Sequence, residues 1–380
     1  MAPVVAPAAR TRRLWVGTYP ADGAGTPAGR GEGIWSVGLT DTGRWTEPAL
    51  AVVTPAPSFL AVHPSGRVLY AVGEQADGTV SAFAVPDGRF EPPVGSGTSG
   101  RPDALVLLDV VASGGADPCH LLLAPDARTL YVANYSSGTV AVLPLEPDGR
   151  FTAQVRATGA PVQVLAHTGT GPDATRQEGP HAHFVTHAPG GRHVVVADLG
   201  TDELRRYERD AATGLLTAAG IAATLPPGTG PRHLVFSSDG RFAYVVGELD
   251  VTVRVLAWDV MTASGTLVQT VSASPWRVAA AVAVASSERM LPSHVVLDGD
   301  RLLVGVRAAG FLAVHTVGAD GLLARAPDVH LPGRWPRHFA VVDGQLVVAE
   351  QVDGHLAALR RDGAVESTCR LVSPACVVVA

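Results

Sequence analysis

Histidine, arginine and carboxylate side chains recur in this sequence at two fixed places of a repeated pattern. The first place follows a proline and holds His120, His181, His183, Arg232, His233, His294, Arg337 and His338, with Ser58 in the earliest unit. The second place closes a short apolar run and holds Glu74, Asn134, Asp198, Glu248, Arg307 and Glu350. Imidazole moves protons near neutral pH, and guanidinium offers carboxylate or phosphate a planar fork. A carboxylate serves as base or as counter-ion to either. Brought together, these groups suit acid–base chemistry on an anionic substrate.

Other chemistries fit less well. His181 and His183 are two apart and would point the same way on a strand, but no HExxH spacing occurs and the interleaved arginines would repel a cation. The sequence has no GxSxG nucleophile elbow and no glycine-rich phosphate loop. Neither a metal nor an organic cofactor is expected.

The elements that must position these residues are short strands. Six segments share one order: a proline opening, an apolar strand, a turn, a second apolar strand, a polar residue, another turn and a third strand. They begin at Pro57, Pro118, Pro180, Pro231, Pro292 and Pro336, at spacings of 44 to 62 residues. Turns such as PSG, PDA, PGG and SDG between apolar runs mark antiparallel meanders, and the spacing suits four-stranded blades. A seventh unit is split between the termini. PACVVVA (Pro374 to Ala380) has the form of a first strand, while LWVGTY (Leu14 to Tyr19) and GIWSVGL (Gly33 to Leu39) supply the second and third. Joining them closes a ring and removes exposed sheet edges. The fold class expected is all-β, a seven-bladed β-propeller whose ring is closed by pairing N-terminal strands with the C-terminal strand. Residues 1–12 are expected to form a flexible tail and residues 13–380 a single domain. Helix content is expected near zero, with Trp276 to Met290 read as a linking insertion between blades five and six.

Composition agrees with a large core, since 47% of the 380 residues are hydrophobic and 17% charged. A formal net charge of −6 argues against nucleic acid as partner. No apolar run is long enough to span a membrane, and the arginines of Met1 to Arg13 follow rather than precede its apolar residues, the wrong order for a signal peptide. All 29 basic residues counted as Lys or Arg are arginine, and the one asparagine is Asn134, a bias typical of GC-rich coding. Cys119, Cys369 and Cys376 are odd in number and lack ligand spacing, as buried thiols of a reducing cytoplasm would.

Four segments carry a resemblance: RQEGPHAH (Arg176 to His183), DLGTDELRRY (Asp198 to Tyr207), GPRHLVFSSDGRFAYVVGELDVTVRV (Gly230 to Val255) and GRWPRHFAVVDGQLVVAEQ (Gly333 to Gln351). In that order they resemble the signature segments of the seven-bladed propeller lactonases, which include propeller-type 6-phosphogluconolactonases and, more distantly, fungal carboxy-muconate lactonizing enzymes. The likeness runs from Leu14 through Val379, although Gly247 and Val306 stand where the family usually has Asn. It implies a metal-independent site with His183, Arg232, Glu248 and Arg307 as catalytic groups. His181, His120, His233, Asp198, Arg337, His338 and Glu350 are expected to bind substrate around them.

Lactone hydrolysis needs a base to activate water, cations for the substrate's anionic group and a donor for the tetrahedral oxyanion. Arg232 and Arg307 suit the anionic roles, and His183 is favoured over Glu248 as the proton shuttle. Run in reverse, the same groups would serve a lactonizing cycloisomerase or cyclase acting on an unsaturated carboxylate. A non-catalytic binding platform is a third reading, against which the clustering of Arg, His and Glu weighs. The partner expected is a small anionic lactone or carboxylate, met by a cytoplasmic monomer or weak homodimer.

Overall fold

The computed structural model describes residues 10–20, 27–86, 104–274 and 289–380. Its strands form seven separate antiparallel sheets, each a radial meander, as expected from the repeats. Counting the split unit as blade one, its strands lie in the order Pro374–Val379, Thr11–Thr18, Gly33–Thr40, Ala49–Val53. Ring closure is a register of paired residues: Leu14 faces Val379, Trp15 faces Val378 and Gly17 faces Cys376. Thr11 and Arg12 pair with Thr40 and Leu39 at the start of this strand.

Each innermost strand touches the innermost strands of both neighbouring blades, all the way round the axis. The cores lie between the blades. Seven apolar clusters each draw on two adjacent sheets, for example Ala188, Val195 and Leu204 of blade four against Leu234, Val245 and Trp258 of blade five. Alternation along each strand makes this possible, because side chains leave the two faces of a sheet in turn and both faces meet a neighbour. A tyrosine of the second strand also reaches across: Tyr131 donates to the Gly214 carbonyl at 2.8 Å and Tyr244 to that of Gly321 at 3.0 Å. Both glycines have positive φ (74° and 79°), and a Cβ on Gly321 would come within 2.2 Å of the Phe242 ring. These turns therefore require glycine.

Helix content is near zero as expected: among the described residues one short helix occurs, Ala153–Thr158, capped by Thr152 and ended by Gly159 in the left-handed region. It replaces part of the connection between the third and fourth strands of blade three. Of the Trp276 to Met290 insertion, residues 276–288 lie outside the described residues.

One local irregularity matters for the site. In six blades the first strand slips register against the second near its start, after the proline in five of them and after Ala182 in blade four. Pro118 pairs with Asn134 but His120 with Ala133, leaving Cys119 as an extra residue; Arg337 is likewise extra between Pro336 and His338. Such a β-bulge takes one residue out of the ladder and re-aims its side chain.

Candidate active site

The bulges sort the proline-following residues into two layers. Cys119, His183, Arg232 and Arg337 are bulge residues, and all four line one narrow cleft together with Glu74, Tyr135, Arg176, Glu248 and Arg307. One residue further along, Phe59, His120, Phe184, His233, His294 and His338 stack beneath it across the channel. Phe59 and Phe184 flank the His120 ring at 4.3 and 4.2 Å, and His294 stacks on His338 at 4.1 Å. The Nδ1 atoms of His233 and His294 are 3.0 Å apart, so one of them donates to the other.

Glu248 organises the cleft. Its Oε2 lies 2.5 Å from an Arg307 terminal nitrogen and 3.0 Å from Arg232 Nε, while Oε1 accepts from Arg176 at 2.7 Å. Burial opposes its ionisation, but Arg307, Arg176 and Arg232 outweigh that and hold the carboxyl well below the usual carboxylate range. Arg307 spends most of its fork on this contact and on the Leu291 and Pro292 carbonyls at 3.0 and 3.3 Å. Arg232 differs. Among the described residues neither its Nε nor its NH1 has a hydrogen-bond acceptor although both are buried. Burial, then repulsion from Arg307, brings the Arg232 guanidinium down to about 9.

Across the cleft, Glu74 accepts from Tyr19 at 3.1 Å and from Ser58, with Arg337 3.8 Å away. Burial pushes the Glu74 carboxyl up despite Arg337. The Arg337 guanidinium lies 4.0 Å over the Tyr19 ring. His183 Nδ1 is 3.9 Å from the Cys119 sulfur. Burial, reinforced by Arg232, keeps this imidazole neutral well below its ordinary range. The cleft thus combines a neutral imidazole, a fixed carboxylate and a surplus of guanidinium, the set an ester-hydrolysing site with an anionic substrate requires.

A family description, "Lactonase, 7-bladed beta-propeller", matches residues 13–379. The chain belongs to the seven-bladed β-propeller lactonase family. It is 32% identical over 354 residues to the 6-phosphogluconolactonase of Bacillus subtilis, spanning 92% of this chain and 90% of that one. The solved structure of the periplasmic gluconolactonase PpgL of Pseudomonas aeruginosa is 27% identical, with a TM-score of 0.80 over 98% of this chain and 99% of that one. A protein of solved structure from Lactobacillus plantarum is 26% identical, with a TM-score of 0.79 over 98% and 100% of the two chains. Membership makes the protein an enzyme, a carboxylic ester hydrolase of the lactonase class, rather than a passive platform.

Of the residues expected from sequence, the lactonase brings His183, Arg232, Glu248, Arg307 and Arg337 to the cleft. The others are placed elsewhere. His120, His233 and His338 belong to the layer below, where burial keeps all three neutral. His181 stacks on Tyr135 at 4.4 Å and faces Glu178 at 3.3 Å, behind the cleft wall. Asp198 is wholly buried and accepts from the His181 and Gly200 amides at 2.8 and 3.0 Å and contacts His167 Nδ1 at 2.5 Å, which fixes a turn. Glu350 accepts from the Trp335 amide at 3.2 Å, and burial brings its carboxyl up to about 8. Asp198 and Glu350 thus serve the backbone of their own blades. The cleft adds Cys119, Tyr135 and Arg176, and assigns Glu74 a place in it, none of which was expected to act on substrate. Cys119 could have been found as the bulge equivalent of Arg232, and Tyr135 from its place directly after Asn134. Arg176 lies in a loop outside the repeat positions, and its one signal was its place at the start of the RQEGPHAH segment.

Among the described residues no helix is long and apolar enough to cross a membrane.

Proposed function

We propose that this enzyme hydrolyses the lactone of a phosphorylated sugar acid, 6-phosphogluconolactone or a close relative, using protein groups alone. The observation that carries the reading is the charge of the cleft. Four arginines (176, 232, 307 and 337) face two carboxyls (Glu74 and Glu248), an excess of two positive charges in a buried space. That excess matches a phosphate dianion, and it disfavours a metal cation. The name of the Bacillus subtilis relative points the same way.

In the proposed reaction, neutral His183 takes a proton from water as the water oxygen attacks the lactone carbonyl carbon. The carbonyl oxygen becomes an oxyanion facing the unpaired NH1 of Arg232. Collapse breaks the acyl–oxygen bond, and the ring oxygen leaves with the proton from His183, giving a hydroxy acid that ionises to solvent. Glu248 is held too acidic to act as base. Its part is to fix the arginines, and Arg307 is its main anchor. This reading therefore separates roles that the sequence assigned to Arg232 and Arg307 alike.

Because the ring is closed, we take the monomer as the working unit. Three free, buried thiols (Cys119, Cys369 and Cys376) suit a reducing compartment such as the cytoplasm. The test is acid release from 6-phosphoglucono-δ-lactone with spontaneous hydrolysis subtracted. Acceleration with saturation supports the reading; a rate equal to the uncatalysed background overturns it.

A further inference from the structure

Three of the four arginines in the cleft are delivered by strands, and their side chains are 1% to 8% exposed. The fourth, Arg176, comes from the loop before the first strand of blade four, Ala182–His187, and its side chain is 19% exposed. It is the pocket cation that meets solvent.

That loop is held in place. Gln177, wholly buried, donates to the Leu199 carbonyl and to Asp202, both at 2.9 Å, and accepts from the Asp173 amide at 3.2 Å. Asp173 pairs with Arg289 at 3.1 Å, and Arg289 also binds the Leu249 carbonyl directly after Glu248. The loop is thereby tied to the same turn that carries the central carboxylate. An arginine so mounted has its position fixed while its fork stays reachable.

Its contacts inside the cleft are the replaceable ones. Glu248 Oε2 is shared by Arg232 and Arg307, so the carboxylate remains paired without Arg176. Arg176 NH2 reaches Glu248 Oε1 at 2.7 Å and the Tyr135 hydroxyl at 3.3 Å, and an entering dianion can take over those donors.

Resting on the lactonase reading above, we propose that Arg176 is the specificity-determining residue of the site. It binds the substrate's phosphoryl oxygens at the cleft mouth and sets the preference for phosphorylated over unphosphorylated sugar lactones. Arg232, deeper in the cleft, is left for the carbonyl. A guanidinium offers phosphate two parallel hydrogen bonds, so lysine replaces its charge but not its geometry.

The test compares wild type, Arg176→Gln and Arg176→Lys on 6-phosphoglucono-δ-lactone and on glucono-δ-lactone. For Arg176→Gln the expected result is a KM for the phosphorylated lactone raised about 10- to 100-fold, the range for a lost charge-assisted pair. The ratio of kcat/KM values between the two lactones should fall at least about tenfold, with partial recovery in Arg176→Lys. Equal losses on both lactones, or an unchanged ratio, would overturn the proposal. Calorimetry with inorganic phosphate separates this from the substrate reading. If wild type hydrolyses neither lactone, that reading fails, but phosphate binding still decides on Arg176. Weakening of about tenfold or more in Arg176→Gln supports a phosphoryl site, and unchanged binding overturns it.

Discussion

Arg232 Nε stands 3.0 Å from Glu248 Oε2 as an ion pair without hydrogen-bond geometry, and both Nε and NH1 of this guanidinium are buried with no hydrogen-bond acceptor among the described residues. The carboxylate thus holds Arg232 by charge, and two of its N–H donors are left without an acceptor. A buried donor without a partner costs free energy, about 1–3 kcal/mol, unless something arrives to accept from it. In the proposed reaction this makes Arg232 a preorganised oxyanion donor, with the cost of ordering met before substrate binds.

Removing either partner should therefore stop turnover without unfolding the ring. Arg232→Ala and Glu248→Gln are expected to lower kcat by about two to four orders of magnitude. Circular dichroism should remain that of the wild type. Activity within a few-fold of wild type in either variant would contradict the oxyanion role of Arg232 and the anchoring role of Glu248.

The pH dependence follows from His183. Burial and then Arg232 lower its pKa well below the ordinary value, so the base stays unprotonated as pH falls through 6.5. The kcat/KM profile should show no acid limb near 6.5, only one well below it. His183→Gln should cost about 10²- to 10⁴-fold. In Arg232→Ala, loss of the neighbouring cation should raise the His183 titration, as followed by its imidazole NMR shifts. A titration that stays in place would exclude the proposed coupling.

The histidine layer predicts a steep acid sensitivity of the fold. His120, His233, His294 and His338 are neutral when folded, lowered first by burial; His338 is brought to about 3. The unfolded chain binds protons on these groups from about 6.5 downward, whereas the folded chain does not. Stability is therefore fully present above about 6.5 and is lost as pH falls from there toward the folded values. Each such histidine adds about 1.4 kcal/mol per pH unit to the slope in that window. His120→Phe places at this position the residue already present in blades two and four, Phe59 and Phe184. It should lessen the slope of the urea midpoint against pH by one proton's worth. An unchanged slope would show that His120 does not titrate on unfolding.

Asp198 separates a structural carboxylate from a substrate-binding one. With two backbone amides and His167 on its oxygens, Asp198→Ala should lose about 2–4 kcal/mol of stability, since buried donors are left without acceptors. Well below the melting temperature, KM should stay near that of the wild type. A raised KM in a variant of normal stability would return Asp198 to the site.

Sequence and structure agree most where the signal repeats. The proline openings, the turns and the split PACVVVA unit identified seven blades because each is stated several times over. The chemistry was legible only in part. Arg232 and His233 are adjacent in sequence and looked equivalent, yet a bulge assigns one to the cleft and the other to the layer below. A register slip depends on the pairing of two strands, which a single strand's sequence does not display. Asp198 and Glu248 occupy the same repeat position, but the turn after Asp198 folds its amides onto the carboxylate, while Glu248 meets three guanidiniums from elsewhere in the chain. Arg176 depends on a loop whose path is set by Gln177 and Asp202, and no periodicity reports on such a path.

The bulge has one more implication, for how such an enzyme changes over generations. A residue outside the ladder answers to no cross-strand partner, so its replacement leaves the neighbouring pairs as they were. Cys119, His183, Arg232 and Arg337 occupy such positions in four different blades. Their backbone positions bear no ladder pairing, so what holds each side chain is the cleft itself: Glu248 for Arg232 and Glu74 for Arg337.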